Sequence, residues 1–332
     1  MKYFIFFLFC FLGTILLAQD VHWSQFNDNP LYVNPANSGN FKGNNRFIAN
    51  YRDQWRSVTK PFQTFSFSYD SHYKKNQNIG LGFLLLNDSD GDGKFKTFEL
   101  QIMPSLRKFL TKDSAHQLIS GIQLAFNHRQ FTFPNFYFDE QYNGINYDEN
   151  LPITEELVTS KQNNLSLGAG LLYEYRINRK QNLQLGFSAF NLNQPNQGFY
   201  GETVKRDIRL TFFSKIRFNL NQKLDLFPSL LCQIQGTYRE LVFGTHLKYC
   251  LKNDLKAYKA ISAGIYYRKK DAYILNLALD INRWKLGFSY DINFSNLKPA
   301  SASRGGFELS LKYIISKFQP KQIQHRVCPE FI

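Results

Sequence analysis

Chemistry-bearing residues are scarce in this chain. Its 332 residues include four cysteines, two methionines, three tryptophans and six histidines. One cysteine, Cys10, lies in the apolar N-terminal run. The remaining Cys232, Cys250 and Cys328 are odd in number, so they cannot form a fully paired disulfide framework. His22, His72, His116, His128, His246 and His325 are scattered, and no pair has metal-ligand spacing with a cysteine. There is no G-x-S-x-G elbow, no H-E-x-x-H pair and no phosphate-binding loop. No enzyme activity is therefore expected. After residue 20 no window supplies the roughly 18 consecutive apolar residues that a spanning helix needs, which excludes a polytopic helical membrane protein.

Acidic residues are also the minority, 26 against 40 lysines and arginines, for a net charge of +14. No nucleic-acid recognition module accompanies that charge, and nucleic acid is not an expected partner. Solvated turns and attraction to anionic lipid head groups account for it more simply.

Aromatic residues are abundant: 33 phenylalanines and 19 tyrosines. The mean hydropathy is nevertheless −0.36. Alternation reconciles the two. Phe65, Phe67 and Tyr69 alternate with Ser66, Ser68 and Asp70. Leu277, Leu279 and Ile281 alternate with Asn276, Ala278 and Asp280. Period two is a strand with one apolar and one polar face. Strand cores fall at 45–51, 62–70, 78–87, 97–108, 117–127, 163–176, 182–190, 207–218, 223–233, 238–250, 258–268, 272–281, 283–293 and 305–315.

A soluble sandwich and a membrane barrel share this pattern, and three features favour the barrel. The segments are mostly about 8 to 12 residues, the length of tilted outer-membrane strands. Connections after odd-numbered strands total roughly 85 residues and those after even-numbered ones roughly 30, the long-loop and short-turn asymmetry of such barrels. Aromatics crowd strand ends, at Tyr51, Tyr69, Tyr173, Tyr175, Tyr266, Tyr267, Trp284 and Tyr290, as interfacial girdles would. The expected fold is all-β: an integral outer-membrane β-barrel of about fourteen antiparallel strands, both termini periplasmic, with a plug-like N-terminal segment.

Four regions follow. Residues 1–18 read as a signal peptide, with Lys2 before the apolar run and cleavage after Ala18 or Gln19. Residues 19–44 lack alternation and carry Asn29-Pro30 and Asn34-Pro35, which suit turns rather than mid-sheet positions. This segment is expected at the periplasmic side or in the lumen, as a structural plug or a docking element. Residues 45–315 form the barrel. Residues 316–332 form a periplasmic tail, where Cys328 either pairs with a partner cysteine or stays free. The longest outer loop, about 128–162, contains Pro134, Tyr137, Asp139, Tyr142, Tyr147, Asp148, Pro152, Glu155 and Glu156. It reads either as a lid, plug or docking surface or as a mobile loop.

Asp88, Asp90, Asp92, Gly93 and Glu99 match the calcium-loop pattern D-x-[DN]-x-[DN]-G-x5-E. The donors suit Ca, but the flanks read as strands rather than helices. A solvated hairpin turn is the expected structure, and no cofactor is expected.

Several motifs occur in a definite order. His22-Trp23-Ser24-Gln25-Phe26 is followed by Asn29-Pro30-Leu31-Tyr32-Val33-Asn34-Pro35-Ala36 and Tyr51-Arg52-Asp53-Gln54-Trp55. Asn191-Leu192-Asn193-Gln194-Pro195, Gly287 to Asn293, Gly305 to Leu311 and Cys328-Pro329-Glu330-Phe331 come later. Together they resemble the PorP/SprF family of type IX secretion system membrane proteins of Bacteroidota. Glu330, where the family usually has a basic residue, and Asp53, often asparagine there, are departures. The resemblance implies a barrel that assists export and surface attachment of cargo with type IX C-terminal domains, gliding adhesins among them. The implied partners are other secretion components, the cargo protein and outer-membrane lipid. On this resemblance His22, Ser24, Gln25, Asn29, Pro30, Asn34, Pro35, Tyr51, Arg52, Gln54, Trp55 and Cys328 are candidate partner-binding or plug residues. A passive porin-like barrel for small solutes and a barrel enzyme acting on lipid are the competing expectations.

Overall fold

Alternation along each segment leaves the chain one way to satisfy its backbone in a membrane: closing the sheet so that no edge remains. The computed structural model does this. It describes residues 20–54, 56, 61–73, 76–90, 95–131, 139–148, 151, 161–178, 181–199, 202–254, 257–294 and 304–316. The signal segment, Trp55, Asp92, Pro134, Tyr137, Pro152, Glu155, Glu156, Cys328 and the tail beyond Ser316 lie outside the described residues.

Fourteen strands run in chain order: β1 Asn45–Gln54, β2 Phe62–Tyr73, β3 Asn76–Asp90, β4 Phe95–Phe109, β5 His116–Gln130, β6 Lys161–Arg176, β7 Asn182–Phe190, β8 Arg209–Asn219, β9 Leu224–Gln235, β10 Tyr238–Asn253, β11 Tyr258–Arg268, β12 Ala272–Ile281, β13 Trp284–Asn293 and β14 Arg304–Ile315. Each pairs antiparallel with its sequence neighbours. The ring closes where β1 meets β14, from Asn45 opposite Ile315 to Asp53 opposite Phe307.

All fourteen expected segments are present, with small shifts at their ends. β8 starts at Arg209 rather than 207, because the Asp207 carbonyl accepts the side-chain amides of Asn191 and Gln235 instead of a ladder bond. β13 starts at Trp284, since Asn282 (φ +54°) and Arg283 form a two-residue turn. The connections also follow the expected asymmetry, though not uniformly. The long ones join β5 to β6 and β7 to β8, whereas β9 and β10 are joined by Gly236 (φ +55°) and Thr237 alone.

The two faces are inverted relative to a soluble sandwich. Phe65, Phe67, Ile122, Leu124, Phe126, Leu275 and Leu277 are exposed on the outside. Ser66, Ser68, Asp70, Gln123 and Asn127 are buried inside. An outer surface this apolar belongs in lipid. Aromatics belt it at both ends. Trp284, Tyr313, Phe47, Tyr69 and Phe83 form a chain of ring contacts near the short-turn rim. Phe243, Tyr267, Tyr273 and Phe294 do the same near the long-loop rim. Tyr266 is an exception to the expected girdle. Strand period turns it into the lumen, where it is buried and meets His246 and Asn27.

Candidate functional site

Residues 20–40 of the chain lie inside the ring of strands, packed against inward-facing side chains. They form three short turns of helix, Phe26–Asp28, α1 (Pro30–Val33) and Pro35–Asn37. Proline opens the second and third, where its missing N–H costs nothing. Asn34 caps the third by accepting from the Ala36 amide at 2.8 Å.

Apolar contacts grip this segment on two sides. Trp23, Leu31 and Tyr32 pack with Leu84, Leu86 and Met103 of β3 and β4. Phe26, Val33 and Ala36 pack with Ile119, Leu172, Phe213, Leu231, Val242, Tyr266 and Ile274 of β5, β6 and β8 to β12. Each large side chain so buried contributes about 1.5–3 kcal/mol. The wall is smoothed to receive the chain. A Cβ built on Gly121 would stand 2.5 Å from the Ala36 nitrogen, and one on Gly170 would strike the Asn34 side chain.

Charges fix the segment at the long-loop half. The Ser24 amide donates to Glu308 at 2.6 Å and the Gln25 amide to the same carboxylate at 2.7 Å. The Ser24 hydroxyl donates to Asp291 at 2.7 Å and accepts from Arg52 at 2.7 Å and Arg268 at 2.6 Å. Arg52 bridges Asp291 and Glu308, and Arg268 joins Asp291 at 3.0 Å and Glu240 at 3.1 Å. Asp20 is held by Arg206 at 2.7 Å and Arg209 at 3.6 Å. Buried ions are tolerable because each has an opposite partner. His22 lies beside this cluster. Burial, then the positive charge of Arg52 and Arg268, holds its imidazole well below its ordinary pKa.

The segment then descends. Asp28 accepts from Lys285 and Lys312, each at 2.8 Å. Burial alone would raise its pKa, but the two lysines hold it well below the usual carboxylate range. Asn29 donates to Ser66 at 3.1 Å. Asn34 donates to the carbonyls of Leu171 and Phe187, each at 3.0 Å. The Gly39 amide donates to Asp70, itself paired with Arg46 at 2.8 Å.

The expected candidates therefore divide. Ser24, Gln25 and Arg52 share one cluster around Glu308. Asn29, Pro30, Asn34 and Pro35 shape the turns. Tyr51 points outward, where its hydroxyl donates to Asp53 at 3.2 Å and accepts from Gln63 at 3.0 Å. Gln54 ends β1. Asp20, Asp28, Glu240, Arg268, Lys285 and Lys312 were not among the candidates. Their signal is a charge at the inward phase of a strand, or in a non-alternating segment that needs charged partners.

Of the calcium pattern, Asp92 and Gly93 lie outside the described residues. Asp88 accepts from Thr64 at 2.5 Å, while Glu99 pairs with Arg206 at 2.8 Å and accepts from Gln101 at 2.9 Å. Among the described residues no group of three metal-ligating side chains comes together.

Among the described residues, cavities border both ends of the segment. A cavity of about 320 Å³ near the long-loop rim is lined by Asp20, Tyr32, Asp88, Asp90, Arg129 and Arg206. A cavity of about 420 Å³ opens at the short-turn rim beside Asn40, Phe41 and Lys42.

Solved structures share the fold at low identity. The Ralstonia pickettii toluene transporter TbuX aligns with TM-score 0.52 and 9% identity over 86% of this chain and 92% of its own. The CymD monoaromatic hydrocarbon channel gives 0.51 and 8% over 87% and 93%. The P. putida toluene transporter TodX gives 0.50 and 9% over 88% and 95%. No curated protein matches the chain. The family profile described as type IX secretion system membrane protein PorP/SprF matches residues 15–313. A closed fourteen-stranded barrel with a lipid-compatible outer face and a match over nearly its whole length places this chain in the outer membrane, as a member of the PorP/SprF family of type IX secretion membrane proteins.

Proposed function

We propose that this barrel is an accessory of the type IX machine that assists export and surface attachment of C-terminal-domain cargo, such as gliding adhesins, and is not itself the export pore. The observation carrying this reading is the lumen, occupied at mid-depth by residues 20–40 through apolar packing and paired charges. A fourteen-stranded barrel is too narrow for a folded domain even when empty, since 16 to 18 strands leave only an aqueous channel. With its lumen filled, the barrel offers surfaces rather than a passage. The short-turn rim faces the periplasm and the secretion components there. The long-loop rim, with the connections after β5 and β7, faces the cargo outside. Residues 1–18 direct export and are removed.

Deletion of the gene, followed by proteomics of the cell surface and medium, tests this. Loss of one or a few C-terminal-domain proteins from the surface, with other export intact, is the expected result. Unchanged surface and secreted proteins would overturn the secretion role and leave small-solute uptake as the reading to pursue.

A further inference from the structure

The short-turn cavity has an electrostatic imbalance that the segment does not neutralise. Five cationic side chains line it, Lys42, Arg107, Arg176, Lys215 and Arg217, against one carboxylate, Glu174. That carboxylate is already engaged: it accepts from Asn40 at 2.6 Å and from Gln117 and Gln184. Arg217 has Asp225 at 2.8 Å, and Arg107 donates to the neutral Asn40 at 2.9 Å and, among the described residues, forms no salt bridge, Glu174 acting on it from a distance. Lys215 lies 5.5 Å from the centre of the Phe227 ring, and among the described residues no carboxylate pairs with it. Unpaired cations grouped in a concave site favour an anion.

The position decides which kind. Arg107, Arg176, Lys215 and Arg217 occupy the inward phase of β4, β6 and β8. Lipid head groups surround the outer face and do not reach them. Inward Phe109 and Phe227, with Phe41, add aromatic surface between the cations. A small inorganic anion has no use for these rings, whereas a peptide with acidic and apolar side chains would use both. We propose that this cavity binds an acidic, aromatic-containing segment of a partner protein, its carboxylates on Arg107, Lys215 and Arg176. The inference deepens the secretion reading by giving the chemistry of a partner at the short-turn rim. Binding is measured on the isolated barrel, so its failure is distinguishable from failure of the deletion test.

The test uses the full chain purified in detergent and a fluorescent peptide alternating glutamate and phenylalanine, with a glutamine counterpart as control. The glutamate peptide should bind and the control should not, and binding should weaken sharply as salt shortens the screening length. Lys215→Gln and Arg107→Gln should each weaken binding by about tenfold, a typical loss for one charge-assisted contact. Arg176→Gln and Lys42→Gln, at exposed positions that leave the fold intact, should weaken it in the same direction. Equal binding of both peptides, or unchanged affinity in all four variants, would overturn the proposal. Complete displacement of the peptide by inorganic phosphate, or variant-sensitive binding of phosphatidylglycerol micelles in its place, would also overturn it, in favour of a small-anion or lipid site.

Discussion

The two halves of the lumen hold the same kinds of side chain to different effect. In the long-loop half, Arg52, Arg206, Arg209 and Arg268 each meet a carboxylate, and Ser24 sits at the centre of the Arg52–Arg268 cluster. In the short-turn half, the lysines around Asp28 are paired, but Arg107, Arg176 and Lys215 face a cavity without acids to spare. The difference separates anchoring from availability. Paired, buried charge holds the segment, and unpaired charge beside a cavity is left for something else.

The largest expected effect breaks the anchored half. Arg52→Ala strips a partner from both Asp291 and Glu308, leaving buried carboxylates short of positive charge. It should destabilise the barrel by about 3–5 kcal/mol, read as a lower midpoint in the heat-modifiable gel shift. Next is the smooth wall. Gly121→Leu drives a side chain into the Ala36 backbone. Overpacking of this kind costs about 1–3 kcal/mol. It should expose a Ser38→Cys thiol to maleimide that is protected when Gly121 is present.

A smaller effect is expected from Asn34→Ala. It removes a cap and two bonds to strand carbonyls. About 1–2 kcal/mol should be lost, with the barrel otherwise intact by circular dichroism. The smallest concerns pH. His22 has a folded pKa below its unfolded value of 6.5, so the unfolded state takes up a proton first. Its contribution is present above pH 6.5 and is lost as pH falls below it. The midpoint should decline between pH 7 and 5, and His22→Gln should flatten that part of the curve.

Much of the fold was legible in the sequence because a barrel strand writes its two environments residue by residue. Phe65-Ser66-Phe67-Ser68 states both the period and, once lipid is recognised, which face is outside. Residues 20–40 stood apart in the sequence as the stretch where alternation stops and Asn-Pro pairs begin. Their clamp was not legible. Ser24 bonds Glu308 across 284 residues, and only ring closure between β1 and β14 brings them together. Tyr266 was misassigned to the girdle because a strand-end aromatic reads alike on either face, until register places it. The short-turn cavity was invisible for the same reason: its cations come from four separate stretches that only the closed barrel brings together.

The central claim is that residues 20–40 close the barrel. Single-channel recording in planar bilayers tests it most directly, comparing the full chain with Gly121→Leu. The full chain should be electrically silent, and displacement of the segment in the variant should give stable ion conductance. Steady conductance from the unaltered chain would contradict the account and return the barrel to the porins.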